Sequence, residues 1–183
     1  MKYHFISDDS FFLQGVSAIT LPRRKQPVIH FAGVMPESGH FSDGDIVVIN
    51  IADIARRQEI LQLRRVAHCR VIILLRTRND SGCQTRGHFP WIIPAGTRLS
   101  TLEHVLSCAT VCEPVQRSVT KAQQRLFHYL CRGYSLSFME KRMKVTTKYL
   151  YVLKLRTIKK YGLHNSHAVS VLLCRDMTGI IRR

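Results

Sequence analysis

Four or five short apolar runs alternate with helix-period stretches through the first 107 residues, and this restricts the fold more than any other feature of the chain. The runs are YHFIS (Tyr3 to Ser7), PVIHFA (Pro27 to Ala32), DIVVINI (Asp45 to Ile51), RVIILL (Arg70 to Leu75) and WIIP (Trp91 to Pro94). Between them, SFFLQGVSAIT, IARRQEILQLRRVA and STLEHVLSCATV carry apolar residues at three- and four-residue spacing, the period of an amphipathic helix. Strand followed by helix, repeated, predicts an α/β, doubly wound parallel sheet covered by helices on both faces. The polar stretch RTRNDSGCQTRGHF leaves room only for a short or missing helix between the fourth and fifth strands.

After this region the periodicity becomes purely helical. Residues 112–118, CEPVQRS, set a proline among polar residues and are the expected linker between a domain over 1–111 and a second over 119–183. Thr120 with Gln123 three residues on is a capping-box signature, and the helix it opens should stop near Gly133. SLSFMEKRMK is expected as a second helix. KYLYVLKLRTIKKYG, capped by Thr146 or Thr147, is expected as a third, and SHAVSVLLC behind Asn165 as a fourth. The second domain should therefore be all-α with four short helices.

Charge separates the two parts more sharply than length does. Met1 to Arg117 holds 14 Lys and Arg against 10 Asp and Glu, a net of +4, whereas Ser118 to Arg183 holds 14 against 2, a net of +12. A surface so basic repels itself unless counterions or phosphates neutralise it, and a nucleic acid is the leading partner class. No apolar run approaches the roughly 20 residues that span a bilayer, so no membrane partner is expected. The start MKYHFISDDS lacks the long apolar stretch of a secretory signal. The six cysteines form no CxxC pair and sit mostly inside apolar patterns, as reduced core thiols of a cytoplasmic protein do. No serine, cysteine or carboxylate stands at a defensible spacing from the scattered histidines, so no catalytic site, metal or cofactor is expected.

Asn50 closes the third strand-like run, where burial alone asks for no amide. It is either a satisfied structural amide or the relic of a chemical site. From Val119 to about Cys174 the chain resembles the helix-turn-helix domain of the LuxR/NarL class of transcription regulators. Thr120, the turn RGYS (Arg132 to Ser135), the segment VTTKYLYVLK and the closing KKYGLHNSHA carry the likeness. Phe138 stands where that class usually has an acid. Lys144 stands at a turn position that is usually glycine, where a left-handed side-chain-bearing residue costs about 1 kcal/mol. The first 107 residues resemble a response-regulator receiver, whose third strand ends in the phosphoryl-accepting aspartate. Asn50 holds that place, Asp8 and Asp9 match the acidic pair, Leu75 or Arg76 replaces a threonine, and Pro94 replaces a lysine. The resemblance thus implies a degenerate receiver that is not phosphorylated, since an amide is a poor nucleophile and no lysine positions the phosphate. The combination is similar to RcsA-like regulators of enteric bacteria.

What the resemblance implies is a cytoplasmic, non-enzymatic regulator that binds double-stranded DNA, nucleoid-associated when bound, and pairs as a homodimer or with another LuxR-type regulator. The alternative is an auxiliary protein that heterodimerises with an RcsB-like regulator and binds DNA weakly alone. The reading element would be helix 146–161. At 100° per residue, Lys148, Tyr151, Val152, Leu155, Arg156 and Lys159 share one side, while Leu150, Leu153, Thr157 and Tyr161 lie opposite. The first set would enter the major groove. Val152 and Leu155 could meet thymine methyl groups and Tyr151 a base edge or a phosphate. Lys148, Arg156 and Lys159 would meet phosphates, Lys154 would reach the backbone from the rim, and Thr146 and Thr147 complete the expected contact set. The stripe Ala168, Val169, Val171 and Leu172 on the last helix would serve pairing or simply the core.

Overall fold

In the computed structural model, residues 1–34, 38–76, 87–163 and 168–180 are described. They form two compact units, Met1–Arg117 and Ser118–Ile180.

The first unit is a five-stranded parallel sheet made of β1 (Tyr3–Ser7), β2 (Pro27–Phe31), β3 (Ile46–Asn50), β4 (Arg70–Leu75) and β5 (Trp91–Pro94). Its strand order is β2-β1-β3-β4-β5, the receiver-like, doubly wound arrangement. Among the described residues, three α-helices accompany the sheet, α1 (Ser10–Ser17), α2 (Ile54–Gln62) and α3 (Leu99–Val111). Alternate strand residues Tyr3, Phe5, Ile46, Val48, Ile72, Leu74, Trp91 and Ile93 pack with Leu13 and Val16 of α1 and with Leu102, Val105 and Leu106 of α3. The intervening residues His4, Ile6, Val47, Ile49, Val71 and Ile73 are buried too, so both faces of the sheet are covered. The sheet grows in opposite directions from β1 and from β3, and right-handed connections therefore place α1 and α2 on opposite faces.

Two boundaries differ from the sequence expectation. The helix expected over 54–67 stops at Gln62, Leu63 leaves the helical conformation, and Val66–His68 forms a separate 3-10 turn. Ile60, Leu61, Val66 and Ala67 are all buried, so the apolar spacing continues across the break. Residues Glu113–Arg117, within the expected linker, run beside Phe89. The Phe89 amide donates to the Val115 carbonyl at 2.8 Å, the Arg117 amide donates to the Phe89 carbonyl at 2.9 Å, and Gln116 Nε2 donates to the Cys69 carbonyl at 2.7 Å. Most of the polar stretch 76–89 lies outside the described residues, as do Cys83, Asn165, Ser166 and His167.

The second unit holds α4 (Lys121–Cys131), α5 (Leu136–Met143), α6 (Thr147–Lys160) and α7 (Ala168–Thr178). The α4 capping box is complete: Thr120 Oγ1 accepts from the Gln123 amide at 3.2 Å, and Gln123 Oε1 accepts from the Thr120 amide at 2.9 Å. Gly133 and Gly162 take left-handed backbone, with φ of 73° and 71°, immediately after α4 and α6, where a side chain would strain the helix exit. Leu126, Phe127, Met139, Leu150, Ile158, Tyr161, Leu173 and Met177 are buried in this unit.

Candidate nucleic-acid interface

Helix α6 follows α5 after a three-residue turn, Lys144 to Thr146. Lys144 is left-handed, with φ of 54°. A non-glycine residue pays for that conformation by a steric clash at Cβ, so this turn is held by what surrounds it. Thr146 Oγ1 caps α6 by accepting from the Tyr149 amide at 3.3 Å. The Glu140 carboxylate of α5 reaches across the turn and accepts from both the amide and the hydroxyl of Thr147. A carboxylate beside free helix amides is favourable both as a hydrogen-bond acceptor and against the helix dipole. Glu140 thereby ties the start of α6 to the body of α5.

The rotation of α6 about its axis is set from the other side. Leu150, Thr157 and Ile158 are buried, and Tyr161 just past the helix is buried with them. Thr157 Oγ1 accepts from Gln123 Nε2 at 3.0 Å and donates to the Leu153 carbonyl at 2.8 Å. With this edge inward, Lys148, Tyr151, Val152, Leu155, Arg156 and Lys159 are exposed, Tyr151 at 52%, Val152 at 37% and Leu155 at 49%. Thr146 is exposed, whereas Thr147 and Lys154 are half-buried. Helix α6 carries five basic residues and no acid. Lys160 is occupied by the Ser118 carbonyl and hydroxyl. Among the described residues, Lys148, Arg156 and Lys159 form no ion pair. The exposed side is therefore cationic at its margins and apolar along its middle.

The stripe expected on α7 is split: Ala168 and Val169 are exposed, while Val171 and Leu172 are half-buried.

At the carboxyl edge of the sheet, where β1 and β3 lie side by side, Asn50, Asp8 and Asp9 each make hydrogen bonds. Asn50 ends β3 and its Nδ2 donates to Ser7 Oγ at 3.2 Å, while Ser7 Oγ donates to the Asn50 carbonyl at 2.7 Å. The side-chain amide thus makes one hydrogen bond, through Nδ2 to Ser7. Asp8 Oδ2 accepts from the amides of Ala52 and Asp53 at 2.9 and 3.2 Å. Asp9 caps α1 through the Phe11 and Phe12 amides and lies 4.0 Å from Arg76. Both carboxylates thus serve the loops around them. Among the described residues, no three His, Cys, Asp or Glu side chains are placed to hold a metal ion. No helix there is long and apolar enough to cross a membrane.

No protein-family model and no curated protein sequence matches the chain. Solved structures match it over nearly its whole length. The complex of the two-component response regulator RcsB with DNA is 12% identical, covers 95% of this chain and 98% of its own, and has a TM-score of 0.42. The response regulator ChrA of a heme-sensing two-component system is 11% identical over 98% of each chain, with a TM-score of 0.35. RcsB from Salmonella enterica serovar Typhimurium, bound to promoter rprA with the phosphomimetic BeF3-, is 13% identical over 94% of this chain and 98% of its own, with a TM-score of 0.35. These neighbours are response regulators. Superpositions of this quality assign no function to this chain, whose own geometry must carry one.

The Glu140 contact yields a direct expectation. Glu140→Ala leaves the Thr147 amide without its acceptor, and should destabilise the helical unit by about 1 kcal/mol. Hydrogen exchange at the first turn of α6 should rise accordingly, and Glu140→Gln, which keeps an acceptor oxygen, should restore part of the loss.

Proposed function

We propose that the chain is a DNA-binding transcription regulator that reads the major groove with α6 and acts without phosphorylation of its receiver-like unit. One observation carries this reading: the exposed side of α6 combines unpaired Lys148, Arg156 and Lys159 with exposed Tyr151, Val152 and Leu155. A solvated helix gains nothing from an apolar middle, whereas base edges and thymine methyl groups in a major groove accept one. Flanking cations suit the phosphates on either side, which set position and affinity but not sequence. The turn between α5 and α6 supplies the connectivity of a helix-turn-helix, in which the second helix enters the groove. Thr146, Thr147 and Lys154 belong to the same contact set, nearer its edge.

Independence from phosphorylation rests on the other unit. Asn50 offers an amide where phosphoryl transfer needs a carboxylate, and its Nδ2 is engaged by Ser7. Pro94 ends β5 with no amine to hold a phosphate. The receiver-like unit then serves for pairing, as a homodimer or with another LuxR-type regulator, in a cytoplasmic, RcsA-like protein.

Two measurements test this. Incubation with acetyl phosphate should leave the intact mass unchanged, and a gain of one phosphoryl group would sink the phosphorylation-independent reading. For α6, binding should be compared on a duplex selected from a random pool and on an unselected duplex. Lys148→Ala and Lys159→Ala should weaken both alike, each lowering the salt dependence by about one unit of slope. Val152→Ala or Leu155→Ala should instead lower the preference for the selected duplex by on the order of 1 kcal/mol, with circular dichroism showing each variant folded. Equal effects of both classes, or none, would favour an auxiliary protein that borrows its DNA contacts from a partner.

A further inference from the structure

Away from the carboxyl edge of the sheet, one face of the first unit holds a chain of polar rings, His4 buried and His30 half-buried. His4 on β1 is 1% exposed. Its Nε2 lies 3.2 Å from Asp45 Oδ2, and its Nδ1 lies 3.1 Å from Nε2 of His30 on β2. Asp45 is anchored independently, accepting from the Lys2 amide at 2.6 Å and the Ser42 amide at 2.9 Å. Phe41 covers both imidazoles, its ring centroid 5.0 Å from His4 and 6.0 Å from His30.

These contacts dictate where the protons sit. An ionised Asp45 only accepts, so His4 carries its proton on Nε2. His4 Nδ1 is then bare and accepts, so His30 must carry its own proton on Nε2. A proton added to His4 has to go on Nδ1, where it meets the His30 proton head-on. A proton added to His30 goes on its outer nitrogen and leaves a cation against a buried ring. Two charged rings 3.1 Å apart cannot both stay in place.

We propose that His4, His30 and Asp45 form a proton-operated latch, which holds edge strand β2 to the sheet at neutral pH and releases it in acid. The part that yields is β2. Among the described residues its ladder runs to β1 alone, and His30 is only half-buried. His4, by contrast, is walled in between β2 and β3 with Asp45 fixed behind it.

The surrounding charges agree with this direction. Burial is the largest influence on His4 and pushes its pKa down; Asp45 opposes this, while Lys2 and His40 add to it. Burial first, then His4 and His40, push His30 down to about 4. Burial works against the Asp45 charge, but the Lys2 and Ser42 amides and His4 hold its carboxyl below the usual range, and the Met1 ammonium stands 3.8 Å away. Cys69, pushed up to about 12 by burial and then by Asp45 and Asp43, keeps its proton throughout. His68 faces Asp43 at 3.9 Å rather than the latch. Both imidazoles are depressed below 6.5, so the open form binds more protons than the closed one. The latch is at full strength above about pH 6.5, and weakens as the pH falls from there toward about 4.

Hydrogen exchange of the full chain reads the latch directly. Between about pH 7 and pH 4.5, protection of the β2 amides, corrected for the intrinsic rate, should fall on the order of 10²-fold relative to β4. His30→Gln keeps a donor toward His4 but cannot take a proton, and should remove that fall. Nitrogen-15 NMR of the wild-type imidazoles at neutral pH should show both rings protonated on Nε2. Protection of β2 that follows β4 at both pH values, the same fall in His30→Gln, or His30 protonated on Nδ1 at neutral pH would each overturn the latch.

Discussion

The buried edge of α6, Leu150, Ile158 and Tyr161 with the hydrogen bond from Gln123 to Thr157, fixes which side of the helix faces outward, and most of what can be argued about this chain depends on it. Thr157 Oγ1 takes one bond from Gln123 Nε2 and gives another to the Leu153 carbonyl. Rotating α6 by one residue would leave Gln123 Nε2 without its acceptor, a cost of roughly 1–3 kcal/mol, while Thr157 would keep its bond to the Leu153 carbonyl of the same helix. Gln123 is also the residue that closes the α4 capping box. The same side chain therefore closes the cap of α4 and bonds the inward edge of α6, the edge opposite the exposed basic and apolar residues between Lys148 and Lys159.

Much of this was legible in the sequence because it is local. The short apolar runs became strands at nearly their expected bounds, since such a run flanked by turn residues has few other ways to bury itself. Thr120, Thr146 and the glycines at 133 and 162 announced helix ends through single-residue chemistry. The outward and inward sets on α6 followed from 3.6-residue periodicity: of the inward set Leu150, Thr157 and Tyr161 are buried and Leu153 is half-buried, while Ile158, in neither set, is buried too.

What escaped the sequence depends on residues far apart along it. Glu140 capturing Thr147 bridges seven residues and a left-handed turn at Lys144, which no periodic pattern encodes. Asp8 reaches 44 residues ahead to the Ala52 amide, a contact that no local pattern encodes. His4, His30 and Asp45 meet only through the register of β1 against β2 and β3. The break in the helix after Gln62 was hidden because Val66 and Ala67 keep the apolar spacing that a continuous helix would show.

Chemical-shift mapping of the full chain titrated with duplex DNA tests the central claim most directly. If α6 enters the groove, the methyl signals of Val152 and Leu155 and the amides from Lys148 to Lys159 should shift most, while the buried Leu150 and Ile158 methyls move little. Perturbations concentrated on α7 or on the sheet unit, with the outward side of α6 silent, would contradict the groove assignment and leave that side to a protein partner.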